Sequence, residues 1–249
     1  MGLPDAASWS LFLLFAFGAE VIGTVAGFGA ATILTPVAVL FLDVKTAIAT
    51  VAVFHLFGNA SRLYFFGRQI HWPTWRLFGV TGVLFSLLGA SVTTTLPASV
   101  MKLCLGVFLV AYVAASAAAP KSLRLPQTPL LLLGGGAVSG FIAGLIGTGG
   151  AIRSACLLAF GLPTETYLAT SAAIALMVDA TRLPVYLVGG FIPSALLPLL
   201  GALLVVAFAG SWTGQRMVHR MSAAWFRRVV WTMLSVIGAK LLADGWRGV

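Results

Sequence analysis

Apolar stretches run through almost the whole chain, broken only by short polar or glycine-rich punctuation. They show no period-2 alternation and are long enough to cross about 30 Å of hydrocarbon as helices. Two of them, over about residues 9–26 and 130–146, end at a glycine turn. Each is followed by a short segment, about 30–42 and 150–160. Longer helices are predicted over 45–66, 74–94 and 98–118, and again over 165–187, 194–213 and 223–243. The pattern predicts an all-α, polytopic membrane protein.

The same series of elements occurs twice. A shift of 120 positions lays Gly27-Phe28-Gly29-Ala30-Ala31 on Gly147-Thr148-Gly149-Gly150-Ala151. In that register Ala49-Thr50 falls on Ala169-Thr170, Asn59-Ala60-Ser61-Arg62-Leu63 on Asp179-Ala180-Thr181-Arg182-Leu183, and Pro73 on Pro193. An apolar composition matches apolar letters by chance, but not a rare arginine, two Gly-x-Gly turns and a proline in one register. The chain is read as two repeats, 1–120 and 121–249, within one integral membrane domain. Pro120 to Pro126 forms the linker.

Trp9 to Leu42 would measure about 50 Å as one helix, too long for a single span. The glycines therefore mark a broken or re-entrant helix pair, and each repeat crosses the bilayer an odd number of times. That makes the second repeat inverted. Charge gives an independent test. The loop after the third element carries Arg68, His71 and Arg76 in the first repeat, and none over Val188 to Ser194 in the second. The next loop is uncharged over Thr93 to Ser99, whereas its counterpart carries Arg216, His219, Arg220, Arg227 and Arg228. The basic bias changes loops between copies, as inversion under the positive-inside rule requires. The linker with Lys121 and Arg124 then lies inside, and the N-terminus outside. The expected location is the inner (plasma) membrane, multi-pass.

Composition sharpens this picture. The chain is 60% hydrophobic and 8% charged, with mean hydropathy +1.04. Soluble domains carry about 25% charged residues, so lipid must be the solvent for most of the surface. The net charge of +9 sits in short loops, which speaks for topology and against nucleic-acid binding. Cys104 and Cys156 lie in apolar stretches without disulfide or metal spacing, and no cofactor or metal is expected. No nucleophile, histidine and carboxylate converge as an enzyme would require. Trp72, Trp75, Trp212, Trp225 and Trp246 are read as interface anchors.

The candidate chemistry lies at the glycine turns and beside the intramembrane polar residues. Broken backbone at membrane depth is tolerated only where protein or a water-filled cavity covers it. A short helix starting there points free N–H groups and a positive dipole end at the turn. Two such ends meeting at the midplane would form an anion site from Gly27, Phe28, Gly29, Gly147, Thr148, Gly149 and Gly150. The competing reading is close helix packing, because Gly23/Gly27 and Gly140/Gly144 have Gly-x-x-x-Gly spacing. His55, Asn59 and Arg62 share one helix face, and Asp179 and Arg182 hold the matching positions in the second repeat, where Ala175 replaces the histidine. Each arginine either faces the cavity or snorkels to the interface. Arg153, just beyond the second turn, is unfavourable beside a helix N-terminus unless an anion lies between. Its alternative is an ion pair with Glu20 or Asp179. Thr50, Thr170 and Ser171 either bind an oxyanion or bridge helices. Glu20, His55 and Asp179 are the candidates for proton coupling.

The stretches Gly23–Pro36, Ala49–Arg62, Gly144–Ala151 and Ala169–Arg182 resemble the sulfite exporter TauE/SafE family, the toluene sulfonate uptake permeases. The resemblance covers almost the whole chain and implies transport of sulfur-containing anions: sulfite, sulfonates such as sulfoacetate, and related small organic acids. This chain departs from the usual pattern in the second repeat, with Arg153 after the turn and Cys156 at the proline position, which marks Arg153 as a candidate selectivity determinant. The expectation is a secondary transporter of a small anion in the lipid bilayer, with a proton or sodium ion as coupling partner and a homodimer as one assembly. The alternatives are a passive anion channel and a transporter of non-sulfur carboxylates.

Overall fold

The computed structural model describes residues 6–118, 125–218 and 223–248, and among them all regular structure is helical. The first five helices are α1 (Ala6–Ala26), α2 (Ala31–Ala38), α3 (Val44–Phe66), α4 (Trp72–Thr95) and α5 (Ala98–Ala118). The second five are α6 (Pro129–Ile146), α7 (Gly150–Leu158), α8 (Thr164–Val188), α9 (Leu197–Met217) and α10 (Ala223–Trp246). Short 3₁₀ turns follow α3 and precede α9. Among the described residues, six helices (α1, α4, α5, α6, α8 and α9) are long and apolar enough to span a bilayer. With 8 and 9 residues, α2 and α7 reach only about 12–14 Å and cannot cross alone.

Side-chain caps fix several starts. The Asp43 carboxylate accepts the amides of Lys45 and Thr46 at the head of α3, the His71 ring accepts Thr74 N–H at α4, and Thr128 accepts Leu131 N–H at α6. The helix expected over about 30–42 is shorter than predicted, spanning Ala31–Ala38. Pro36 lies inside α2, where it lacks an N–H, and the chain loosens into a turn after Ala38 before Asp43 caps the next helix. Conversely, α9 runs on to Met217. Arg216, read from the sequence as a loop residue, therefore lies in its last turn, its guanidinium 3.5 Å above the Trp212 ring. Arg76 likewise lies inside α4. Lys121, Arg124, His219 and Arg220 lie outside the described residues, as do the side chains of Arg68, Trp225, Arg227 and Arg228.

Four helix pairs carry the architecture: α1 on α9, α4 on α6, α3 on α8 and α5 on α10. In α3/α8, Gln69 beyond the end of α3 bonds Glu165 at the start of α8, while His55 meets Asp179 farther along. These two helices therefore run antiparallel. So do α5 and α10, where Gly106 lies beside Leu242 and Gly245 beside Ser99. By contrast α4 and α6 run parallel, with Phe78, Gly82 and Ser86 beside Gly136, Gly140 and Gly144. A Cβ on Gly140 would lie 2.1 Å from the Gly82 carbonyl oxygen, and one on Gly144 would lie 2.2 Å from that of Ser86. The packing reading thus holds for Gly140 and Gly144: without side chains, two backbones come into the close contact that drives helix association in lipid. Large apolar side chains such as Leu14, Val80, Leu84, Val107, Leu130 and Val205 are left on the outer surface.

Candidate functional site

The helical chain breaks twice where the glycines lie. Between α1 and α2, Gly27 and Gly29 have φ of 75° and 84°, and between α6 and α7, Gly147 has φ of 78°. Side chains rarely adopt this left-handed region. The two breaks touch, since a Cβ on Gly150 would fall 1.8 Å from the Phe28 carbonyl oxygen. Not every turn amide points toward a ligand, as the sequence suggested. Gly27 and Gly29 both donate back to the Gly23 carbonyl, at 3.0 and 3.2 Å, and Gly147 donates to Ala143 at 3.0 Å. These bonds close the ends of α1 and α6.

The carbonyl side of each break is satisfied by side chains. At the end of α1, Tyr167 donates to Ala26 (3.1 Å), Ser171 to Gly27 (2.6 Å) and Arg153 to Phe28 (3.2 Å). At the end of α6, Arg182 donates to Ala143, Tyr186 to Gly144, and Thr93 to Gly144 and Leu145. A cation at a helix C-terminus opposes the negative dipole end, which accounts for Arg182. Beyond the second turn, Thr35 donates to Gly147 and Ser139 to Gly149. The amide side differs. Ala30 and Gly149, which open α2 and α7, are buried and make no side-chain cap bond. The amides of Ala31 and Thr32, and of Ala151 and Ile152, lie in first turns that no preceding helical carbonyl reaches. Each break therefore has a closed carbonyl end and an open amide end.

The charges around the breaks are buried, so the snorkelling reading fails for Arg62 and Arg182, each 1% exposed. Arg182 holds Asp179 Oδ1 through Nε (3.0 Å) and Nη2 (2.7 Å), confirming the pairing expected from their spacing. His55 Nδ1 lies 2.7 Å from Asp179 Oδ2, and Asn59 Nδ2 donates to the same oxygen at 3.0 Å. Arg62 donates to the Asn59 side-chain oxygen Oδ1 and reaches Glu20 only at ion-pair distance, 3.7 Å. Glu20 is held instead by Ser211 (2.7 Å) and Thr24 (3.2 Å). Arg153 is also buried, but among the described residues no carboxylate lies within 4.0 Å of it. It donates from Nε to Ser171 at 3.0 Å and from Nη2 to Phe28. Neither Glu20 nor Asp179 takes it as an ion-pair partner.

Among the described residues, the buried permanent charges are thus Arg62, Arg153 and Arg182 against Glu20 and Asp179, with one positive charge in excess. The unmatched one is Arg153. Several buried polar atoms also lack a hydrogen-bond partner: Thr32 Oγ1, Thr50 Oγ1, Thr148 Oγ1 and His55 Nε2, besides Arg62 Nε and Glu20 Oε2. Buried polar atoms cost free energy unless they are hydrogen-bonded.

Of the residues singled out from the sequence, the structure brings Gly27, Phe28, Gly29, Gly147 to Gly150, Arg153 and Ser171 together at the crossing breaks. Glu20, His55, Asn59, Arg62, Asp179 and Arg182 form the adjoining charge network. Thr50 is buried nearby in sequence to that face. Thr170 is elsewhere: its hydroxyl accepts the His71 amide at 2.9 Å and ties α8 to the α3–α4 turn, the helix-bridging alternative. Sequence reasoning missed Tyr167, Ser154, Tyr186, Thr93 and Thr32. Tyr167 bonds Ser154 at 2.6 Å and blocks any side chain at Gly27, where a Cβ would lie 2.2 Å from its ring. Tyrosine and hydroxyl residues are common in membrane helices. Only Tyr186, one turn beyond Arg182, carried a local signal.

The family model described as "Sulfite exporter TauE/SafE" matches residues 12–241. No curated protein and no solved structure matches the chain.

Proposed function

The chain belongs to the sulfite exporter TauE/SafE family of membrane transporters, and from that premise we propose that it moves a small oxyanion, a sulfite or organosulfonate, through the two crossed glycine breaks. The observation carrying this reading is the charge imbalance: a buried arginine, Arg153, with no carboxylate at ion-pair distance among the described residues, beside two uncapped helix N-termini. A bound oxyanion supplies the missing negative charge. Its oxygens accept from the open amides of α2 and α7 and from the unpartnered threonine hydroxyls, a chemistry helix N-termini favour. Arg62 and Arg182, held by Glu20 and Asp179, raise the local potential without binding the anion directly.

Alternating access would follow from an inverted repeat. The antiparallel course of α3 and α8, and of α5 and α10, supports that arrangement, as does the exchange of basic loops between copies. The same charge bias supports an orientation with both basic loops in the cytoplasm, in keeping with an inner-membrane location.

Purified protein in liposomes provides the test, with radiolabelled sulfite and short alkanesulfonates offered separately. Saturable uptake that one anion inhibits in the other is expected. Uptake against a gradient marks a transporter, whereas strictly downhill, non-saturating flux would show a channel. Absence of flux for every small anion would refute the reading.

A further inference from the structure

We infer that transport is coupled to a proton carried by His55, whose Nε2 contacts the first glycine break; this rests on the oxyanion reading above. The hydrogen-bond network fixes which nitrogen titrates. Arg62 donates to the Asn59 side-chain oxygen, so the Asn59 amide nitrogen must face Asp179. Asp179, engaged twice by Arg182, is a carboxylate and can only accept. His55 Nδ1, 2.7 Å from Asp179 Oδ2, therefore carries a hydrogen in both charge states of the ring. The proton that comes and goes is on Nε2.

That nitrogen is buried, on a residue 3% exposed, and has no partner. It abuts the break itself: a Cβ on Gly29 would lie 2.1 Å from Nε2, nearer than from any other ring atom. When neutral, His55 presents a lone pair toward the first break, which disfavours an oxyanion there. When protonated, it presents an N–H that donates to the anion, while Asp179 balances the imidazolium from behind. The charged groups facing the ring are Asp179 from α8, Arg62 from its own helix and Arg153 from α7. Glu20 from α1 meets the network through Arg62, and Arg182 through Asp179. Of the three coupling candidates, Asp179 is locked by Arg182 and Asn59, and Glu20 is turned toward Ser211 and Thr24. Of these three, His55 alone brings a titratable atom against Gly29 of the break.

The step is a proton transfer alone. Nε2 takes a proton from water on the side where the anion enters, holds it as N–H against the bound anion, and returns it to water where the anion leaves. Anion and proton then bind with reciprocal effect. Above the pKa of the ring, anion affinity should fall up to about tenfold per pH unit, the limit for one linked proton.

The test measures the affinity of purified protein for sulfite and for a short alkanesulfonate between about pH 5.5 and 8.5, a range spanning the ordinary histidine value. His55→Gln is measured on the same anions, so that titration of the anion itself cancels. Wild type should lose at least roughly tenfold more affinity than His55→Gln over this range. Parallel pH dependences in the two proteins would overturn the inference. Should His55→Gln not fold, a pH-indicating dye decides the matter with wild type: alkanesulfonate uptake into liposomes should carry about one proton per anion, and uptake without proton movement would overturn the inference. Failure of both anions to bind or move at any pH would instead refute the oxyanion reading itself.

Discussion

Replacing Arg153 by methionine separates a binding cation from a structural one. A buried, unpaired charge costs several kcal/mol of desolvation, even after relaxation. Arg153 recovers part of this through bonds to Ser171 Oγ and the Phe28 carbonyl, each worth about 1.5–3 kcal/mol for a charged donor. The two contributions nearly cancel. Arg153→Met keeps the stem and removes the charge, so the anion-free protein should stay within about 2 kcal/mol of wild-type stability, the margin left by those opposing values. Arg182→Met behaves differently, because it removes the ion-pair partner of Asp179 Oδ1 and uncaps the end of α6; the expected loss is about 3–5 kcal/mol. Thermal unfolding in detergent, with and without sulfite, reads out both effects. Wild type should gain about 2.7 kcal/mol at an anion concentration one hundred times Kd, and Arg153→Met should gain nothing. If Arg153→Met were as unstable as Arg182→Met, or kept the full anion-induced gain, Arg153 would be a structural residue and the charge argument would fail.

Gly29→Ala combines a left-handed φ with a Cβ 2.1 Å from His55 Nε2, and it should abolish liposome flux and lower stability by at least about 1–3 kcal/mol, as judged by unfolding. Gly140→Leu drives a side chain into the Gly82 backbone; detergent-solubilised protein should lose monodisperse behaviour on size exclusion, whereas Gly134→Leu, with nothing within 4 Å of its Cβ, should not. Asp179→Asn should cost about 3–5 kcal/mol by leaving Arg182 without its carboxylate, and the double change with Arg182→Gln should recover part of that loss in the same unfolding assay. Single cysteines at Gln69 and Met221, in a Cys104→Ser, Cys156→Ser background, should both label from the cytoplasmic side, and labelling from opposite sides would contradict the inverted arrangement.

The helices were legible because lipid imposes length and apolarity on every span. Most predicted boundaries fall within a few residues of those observed. The departures have local causes, such as Pro36 shortening α2 and Arg216 staying helical by stacking on Trp212. The breaks were legible because one straight helix from Trp9 to Leu42 would be too long. Their internal bonding was not: the return of Gly27 and Gly29 amides to Gly23 depends on φ angles that sequence does not reveal. On the site, spacing showed that Asp179 and Arg182 can pair and that His55, Asn59 and Arg62 share a face. The bond from His55 to Asp179, 124 positions away, exists only because α3 and α8 pack antiparallel. Arg153 shows the same limit. The sequence left a carboxylate partner and an anion partner both open, and only the three-dimensional arrangement shows that Glu20 and Asp179 are engaged elsewhere.

An oxyanion held between the open amide ends of α2 and α7 against Arg153 would be visible crystallographically. Selenite mimics the charge and shape of sulfite and scatters anomalously, so a crystal structure of the wild-type protein soaked in it locates the anion directly. A selenium peak is expected within hydrogen-bonding reach of Arg153 and of the first-turn amides of α2 or α7. An ordered peak elsewhere, with neither break occupied at saturating selenite, would rule out this anion site.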